Sequence, residues 1–168
     1  MLNKKGIIWP DYYHPKNSQI HIKNQLDISA SAEEIWHCLV HAPCWPTWKH
    51  SSTSVQIING DGIELAKNAQ FYWKTKRAAF KCTVVEFTPH KQLAWKGKMG
   101  AVDMYHAWLI EPTSKGCRVI TESTQRNGLT WLTKYFMSNQ FRTYHRHWLE
   151  ELQEQHLKQS TVGTLSNN

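Results

Sequence analysis

The side chains best suited to holding or moving a proton near neutral pH in this chain are histidines, of which there are ten. His106 sits in "AVDMYHAWLIEP", where Met104, His106, Trp108 and Ile110 share one face and Tyr105, Ala107 and Leu109 the other. Apolar content alone leaves open which face looks inward. If the first does, His106 is a polar group inside an apolar pocket, able to hydrogen-bond a ligand oxygen or to act as a general base. The structural alternative is a histidine satisfied by Thr121 or Tyr144. A slip of one residue in register would instead set His106 against Glu122 on the outer face.

Three further candidates fall on the C-terminal segment "LTWLTKYFMSNQFRTYHRHWLEELQEQHL". His145 lies near a stripe of Phe141, Trp148 and Leu152, and Arg142 beside it has the fork geometry for a carboxylate. The competing reading is the edge of an amphipathic helix. His145 and His147 diverge around that helix and make a poor metal pair. His37 and His41, four apart, can meet, but no third ligand is adjacent in sequence, so no metal is expected. There is no Ser-His-Asp set, no Gly-x-Ser-x-Gly and no phosphate-cradling glycine loop; "NGDG" reads as a turn, and no cofactor is expected. The four cysteines (Cys38, Cys44, Cys82, Cys117) show no C-x-x-C and read as small buried residues in a reducing, cytoplasmic setting.

The elements that must position these groups follow from periodicity. "QIHIKNQLDIS" alternates as a half-buried strand, and "SASAEEIWHCLV" carries a capping box, Ser31 with Glu34, ahead of a short apolar stripe. Pro43 and Pro46 end that helix, leaving "CWPTWK" at most one further turn. From there to Gln125 the period is two. Six strands follow, separated by turn signals at Asn59-Gly60, Lys76-Arg77, Pro89-His90, Gly100 and Lys115-Gly116. After Asn127-Gly128 a long helix is expected, bent near Ser138-Asn139, with Met137, Phe141, Tyr144, Trp148 and Leu152 on one face and Leu129, Leu132 and Phe136 on a rotated one. The boundaries are an N-terminal arm over 1–17, one domain over 18–158 and a frayed, disordered tail over 159–168. A length of 168 residues suits a single core. No run reaches the ~18 apolar residues of a membrane span, and the N-terminus has no signal-peptide pattern. The net charge of +7 is spread as a solvated face without an Arg-rich run, so no specific nucleic-acid partner is expected.

Four stretches in this order resemble the helix-grip superfamily that includes START domains, the birch-pollen allergen and the polyketide cyclase/dehydrase-like proteins (SRPBCC). They are "ISASAEEIWHCL", "PTWK", "VVEFTPHKQLAWKG" and "HAWLIEPTSKGCRVITES", and the resemblance runs from about Ser18 to Leu157. It implies an α+β helix-grip fold: a curved seven-stranded antiparallel sheet around the long C-terminal helix, with two short helices after the first strand. It also implies a cavity between sheet and helix, the inward face for Met104 and His106, and a binding site for a small hydrophobic, lipid- or polyketide-like ligand. On that basis Trp45 and Trp48 flank the cavity entrance. The lining comes from Phe71, Trp73, Trp95, Met104, His106, Trp108, Val119 and Thr121 on strands, and from Phe141, Arg142, Tyr144, His145 and Trp148 on the helix. Family members carry ligands, cyclise polyketides or serve as interaction modules, and the fold does not choose among these. The alternatives to simple binding are therefore a cyclase/dehydratase-type enzyme using His106 or His145 as acid and base, and a protein-interaction module whose basic outer face or N-terminal arm docks another chain, its cavity largely filled by its own tryptophans.

Overall fold

A computed structural model describes residues 6–165, without the side chains of residues 131, 133–138, 141 and 159–165. Strand β1 (Ile20–Ile28) leads into α1 (Ala32–Val40) and a short α2 (Trp45–Trp48). Then come β2 (Ser52–Ile57), β3 (Gln70–Thr75), β4 (Ala79–Thr88), β5 (Gln92–Met99), β6 (Val102–Thr113), β7 (Gly116–Arg126) and α3 (Thr130–Leu165). The seven strands form one antiparallel sheet in the order β1-β7-β6-β5-β4-β3-β2. This is the α+β helix-grip architecture, with α3 laid across the sheet against β1 and β7 and meeting α1 and α2.

Local chemistry explains the boundaries. The Ser31 hydroxyl accepts from the Glu34 N–H (3.2 Å) while the Glu34 carboxylate accepts from the Ser31 N–H (2.8 Å), so α1 opens on a complete capping box. Ser31→Ala is expected to cost about 1 kcal/mol, read as a lower urea midpoint with an unchanged slope. Gly116 is required at the β6–β7 turn: its φ is +136°, and a Cβ there would lie 2.2 Å from the Ile28 carbonyl oxygen. Helical backbone continues through Ser138–Asn139 without a break and on to Leu165, past the residue 158 at which the sequence reading ended the helix.

The sheet buries both faces. On the concave side, Met104, Trp108, Ile110, Cys117 and Val119 join α1, α2 and α3 in the main core. Of the four cysteines expected to be buried, Cys44 is instead exposed. On the convex side, Ala94, Tyr105 and Ala107 form a smaller cluster roofed by Ile7, Trp9 and Tyr13 of the N-terminal arm. Trp9 and Tyr13 lie 5.3 and 5.4 Å from the Tyr105 ring. The arm is also held by polar contacts: Tyr12 donates to Asp103 (3.0 Å), and Arg126 lies over the Tyr12 ring at 4.3 Å. Residues 7–13 of the arm are therefore laid on the chain's own sheet.

Candidate functional site

Register decides the orientation of His106. It pairs with Ser123, not Glu122, which puts His106 on the concave face. There its Nε2 is joined to the Thr121 hydroxyl by a 3.2 Å hydrogen bond. Glu122 faces out, bridging His21 and Lys23 of β1 at 2.9 Å each.

Above His106 the aromatic side chains pack as a block. Its ring stacks on Trp95 (4.8 Å, 27°) and Trp148 (4.9 Å, 22°) and, on α3, on His145 (5.1 Å, 26°). Trp45 touches Trp95, Trp148 and Trp73 at 5.5–5.8 Å, and Trp108 meets Trp148 edge-on at 4.9 Å. Five indoles thus fill the inner part of the grip, a burial that contributes several kcal/mol of apolar stabilisation per ring. Trp45 and Trp48 accordingly do not flank an entrance. Both are buried in the main core, and the Trp45 indole N–H donates to the Leu39 carbonyl (3.2 Å), tying α2 to α1. The costly rings of "PCWPTWK" plug the interior.

What remains open is a hollow of about 90 Å³ at the outer end of the block, lined by Trp73, Phe80, Met104, His106, Tyr144 and His145. Gly97 makes room for Met104, because a Cβ there would stand 2.9 Å from the Met104 methyl carbon. Thr75, Arg77, Gln140 and Tyr144 form a wall shared with a wider surface depression of about 530 Å³, which also takes in His50, Ser51, Lys76, His147 and Glu151.

Of the residues expected from sequence, Trp73, Met104, His106, Tyr144 and His145 meet at the hollow. Phe71, Trp95, Trp108, Val119 and Trp148 lie behind it in the packed core, with Thr121 buried against His106. Arg142 is exposed and lines neither hollow nor depression; the guanidinium at the mouth belongs to Arg77, held against Gln140 at 3.4 Å. Arg142, three residues earlier than His145, is offset from it by only about 60° around α3, yet that is enough to leave it exposed beside the buried His145. The side chain of Phe141 lies outside the described residues.

Sequence reasoning missed Lys49, which is only 1% exposed. Its Nζ donates to the Ser51 hydroxyl, which donates on to the Tyr144 oxygen (3.1 Å). The ammonium lies 4.3 Å from the centroids of both the Tyr144 and Trp148 rings. Burial pushes its pKa down to about 7, with the Glu151 charge opposing the shift. Burial also holds His106 well below the ordinary imidazole value, helped by the neighbouring His145 and Lys49 charges. Burial, again with Lys49, lowers His145 to about 3. Both imidazoles are therefore neutral hydrogen-bonding groups at physiological pH. The Nδ1 of His145 is buried without a hydrogen-bond partner among the described residues, a state that costs about 1–3 kcal/mol. Chemically, the site can offer a ligand apolar walls beside two buried imidazoles and a guanidinium at the rim.

Comparison with known proteins places this geometry in a family. The model of the family described as "Polyketide cyclase / dehydrase and lipid transport" matches residues 19–156, and the chain belongs to it. Solved structures of low sequence identity share the fold. A hypothetical protein from Helicobacter pylori superposes with a TM-score of 0.81 at 22% identity, covering 90% of this chain and 96% of that one. A START superfamily protein from Mycobacterium smegmatis gives 0.61 at 15%, covering 86% and 98%. The di-domain ARO/CYC StfQ from the steffimycin biosynthetic pathway gives 0.69 at 10%, covering 84% of this chain and 52% of that one. No curated protein matches in sequence. Among the described residues no helix is long and apolar enough to cross a membrane.

Proposed function

We propose that the protein binds a small, largely hydrophobic ligand of the lipid or polyketide type, its apolar end in the hollow between sheet and α3. The observation that carries this reading is the hollow itself, walled by Trp73, Phe80 and Met104 between the sheet and α3. Such a site is concave and mostly apolar. At about 90 Å³ the hollow holds one end of a ligand, since whole small molecules need roughly 300–1,000 Å³. The rest lies in the adjoining depression, where Lys76 and Arg77 favour an acidic head group. Family membership supports the same reading. Proton transfer of the cyclase/dehydratase type draws little support from His145: a base with pKa about 3 is far from the neutral value at which general catalysis is most effective.

The test uses 8-anilinonaphthalene-1-sulfonate, an anionic aromatic probe, followed by fluorescence. Met104→Trp and, as a variant at the half-exposed rim, Ala78→Leu both fill the hollow and are expected to weaken binding at least tenfold. Arg77→Ala is expected to weaken it severalfold, with the loss erased in high salt. Equal affinity in the parent and both filling variants would remove the hollow as the site. Native mass spectrometry of the purified protein should in addition show apolar adducts that are lost in Met104→Trp.

A further inference from the structure

Away from the hollow, the fold completes a cluster that the sequence leaves unfinished. His37 and His41 lie one turn apart at the C-terminal end of α1, their ring centroids 3.9 Å apart. The loop between β2 and β3 brings Glu64 to them, with its carboxylate 2.9 Å from the His41 Nε2. One ligand atom from each of the three residues lies within 4.8 Å of the others. We propose that His37, His41 and Glu64 form a divalent transition-metal site, best suited to Zn²⁺, that clamps the end of α1 to the β2–β3 loop.

One ring nitrogen of His41 is held by the backbone, which leaves the other for a ligand position. Its Nδ1 is 3.0 Å from the His37 carbonyl oxygen. A carbonyl can only accept, so Nδ1 carries the proton. The Nε2 of His41 is left facing the Glu64 carboxylate at 2.9 Å, with the His37 imidazole alongside as the third ligand. Fixing one ring nitrogen by a backbone carbonyl while the other binds is the outer-shell pattern of metal-bound histidine.

Both halves of the clamp are anchored without the metal. The Leu65 N–H donates to the Val40 carbonyl (2.8 Å), joining the residues next to Glu64 and His41, and the Leu65 side chain is buried. The Asp61 carboxylate accepts from the N–H groups of Ile63 (2.9 Å) and Glu64 (3.2 Å). Binding therefore orders little that is not already ordered. Two imidazoles and one carboxylate suit Zn²⁺ over Mg²⁺ or Ca²⁺, which prefer all-oxygen shells, and three protein ligands leave a fourth position for water.

Calorimetric titration with ZnCl₂, together with the visible absorption of bound Co²⁺, tests the site. The parent is expected to bind one Zn²⁺ and to show the intense Co²⁺ bands of a tetrahedral site. His37→Ala, His41→Ala and Glu64→Gln should each weaken binding by more than about tenfold, beyond what loss of an outer-shell partner does, whereas His14→Gln should leave it unchanged. Zn²⁺ should raise the melting temperature of the parent and not of His37→Ala/His41→Ala. His37 and Glu64 are exposed, so His37→Ala and Glu64→Gln carry the test even if His41→Ala disturbs α1. Unchanged Zn²⁺ affinity in those two variants would overturn the proposal.

Discussion

Between pH 6.5 and 4.5 the protein is expected to lose stability steeply, before its carboxylates are protonated. The cause is the buried pair His106 and His145. In the unfolded chain both bind a proton near pH 6.5; in the fold, burial lowers both, His145 to about 3. For a group whose folded pKa is depressed, stability is complete above the unfolded pKa and is lost as pH falls toward the folded one. Each pH unit inside that window costs about 1.4 kcal/mol per histidine. At pH 4.5 the His145 contribution alone is then about 3 kcal/mol, and His106 adds to it in the same direction. Against a net stability of roughly 5–15 kcal/mol for a domain of this kind, the sum is enough to bring unfolding into view. The salt-bridged or capping carboxylates do not confuse the window. Asp27, lowered by its hydrogen bond to Arg118, and Glu34, lowered by the Ser31 backbone, lose their contribution only below about pH 4. Urea midpoints measured at half-unit steps check this. His145→Phe keeps a ring in the stack and removes the unpartnered Nδ1, so its profile should become shallower across the window by the His145 share, the His106 share remaining. A His145→Phe profile parallel to that of the parent would mean that His145 is hydrated and protonated in the fold.

How far the sequence announced this site can be traced residue by residue. The capping box at Ser31 and Glu34, the turn at Asn59-Gly60 and the obligatory Gly116 are local signals, so α1 and the strand boundaries were legible. The inward face of His106 came from the family resemblance alone, because apolar content left both faces open and one residue of register slip would have exchanged every side chain. Lys49 was not legible. Nothing local separates it from a surface lysine; its burial comes from Tyr144 and Trp148, about a hundred residues later in the chain. The exchange of Arg142 for Arg77 has the same origin, since Arg77 belongs to the β3–β4 turn and reaches the rim only when α3 is laid across the sheet. Glu64 likewise meets His41 through a backbone pairing of Leu65 with Val40 that no periodicity encodes. Leu129, assigned to an apolar stripe, is exposed because it precedes α3 and never faces the core.

Lys49 also gives the second large prediction, opposite in sense to the first. Replacing it by methionine, of similar length and without charge, is expected to stabilise the protein by about 2–4 kcal/mol below pH 7. The reasoning is again linkage. Unfolded, the amine titrates near 10.4; folded, burial lowers it to about 7. Below pH 7 both states are protonated and the fold carries the full cost of a buried ammonium. As pH rises from about 7 to 10.4 the unfolded chain holds the proton that the folded chain has released, so the cost fades and the parent gains stability. The aromatic faces of Tyr144 and Trp148 offset part of the penalty, each by about 0.5–2 kcal/mol, which is why the expected gain falls short of the full linkage value. Raised thiol pKa values run against this trend at high pH: burial pushes Cys38 to about 11, so the fold loses stability above the free-thiol value. Cys38 is common to parent and variant, and subtracting the two profiles cancels it. The difference between Lys49→Met and parent should therefore be largest at pH 6 and close to zero by pH 10.5. A constant difference across that range would show that the amine titrates as it does in water, and that the block of rings around it admits solvent. The same block closes the inner end of the hollow, so this profile also measures how dry the site is beside His145.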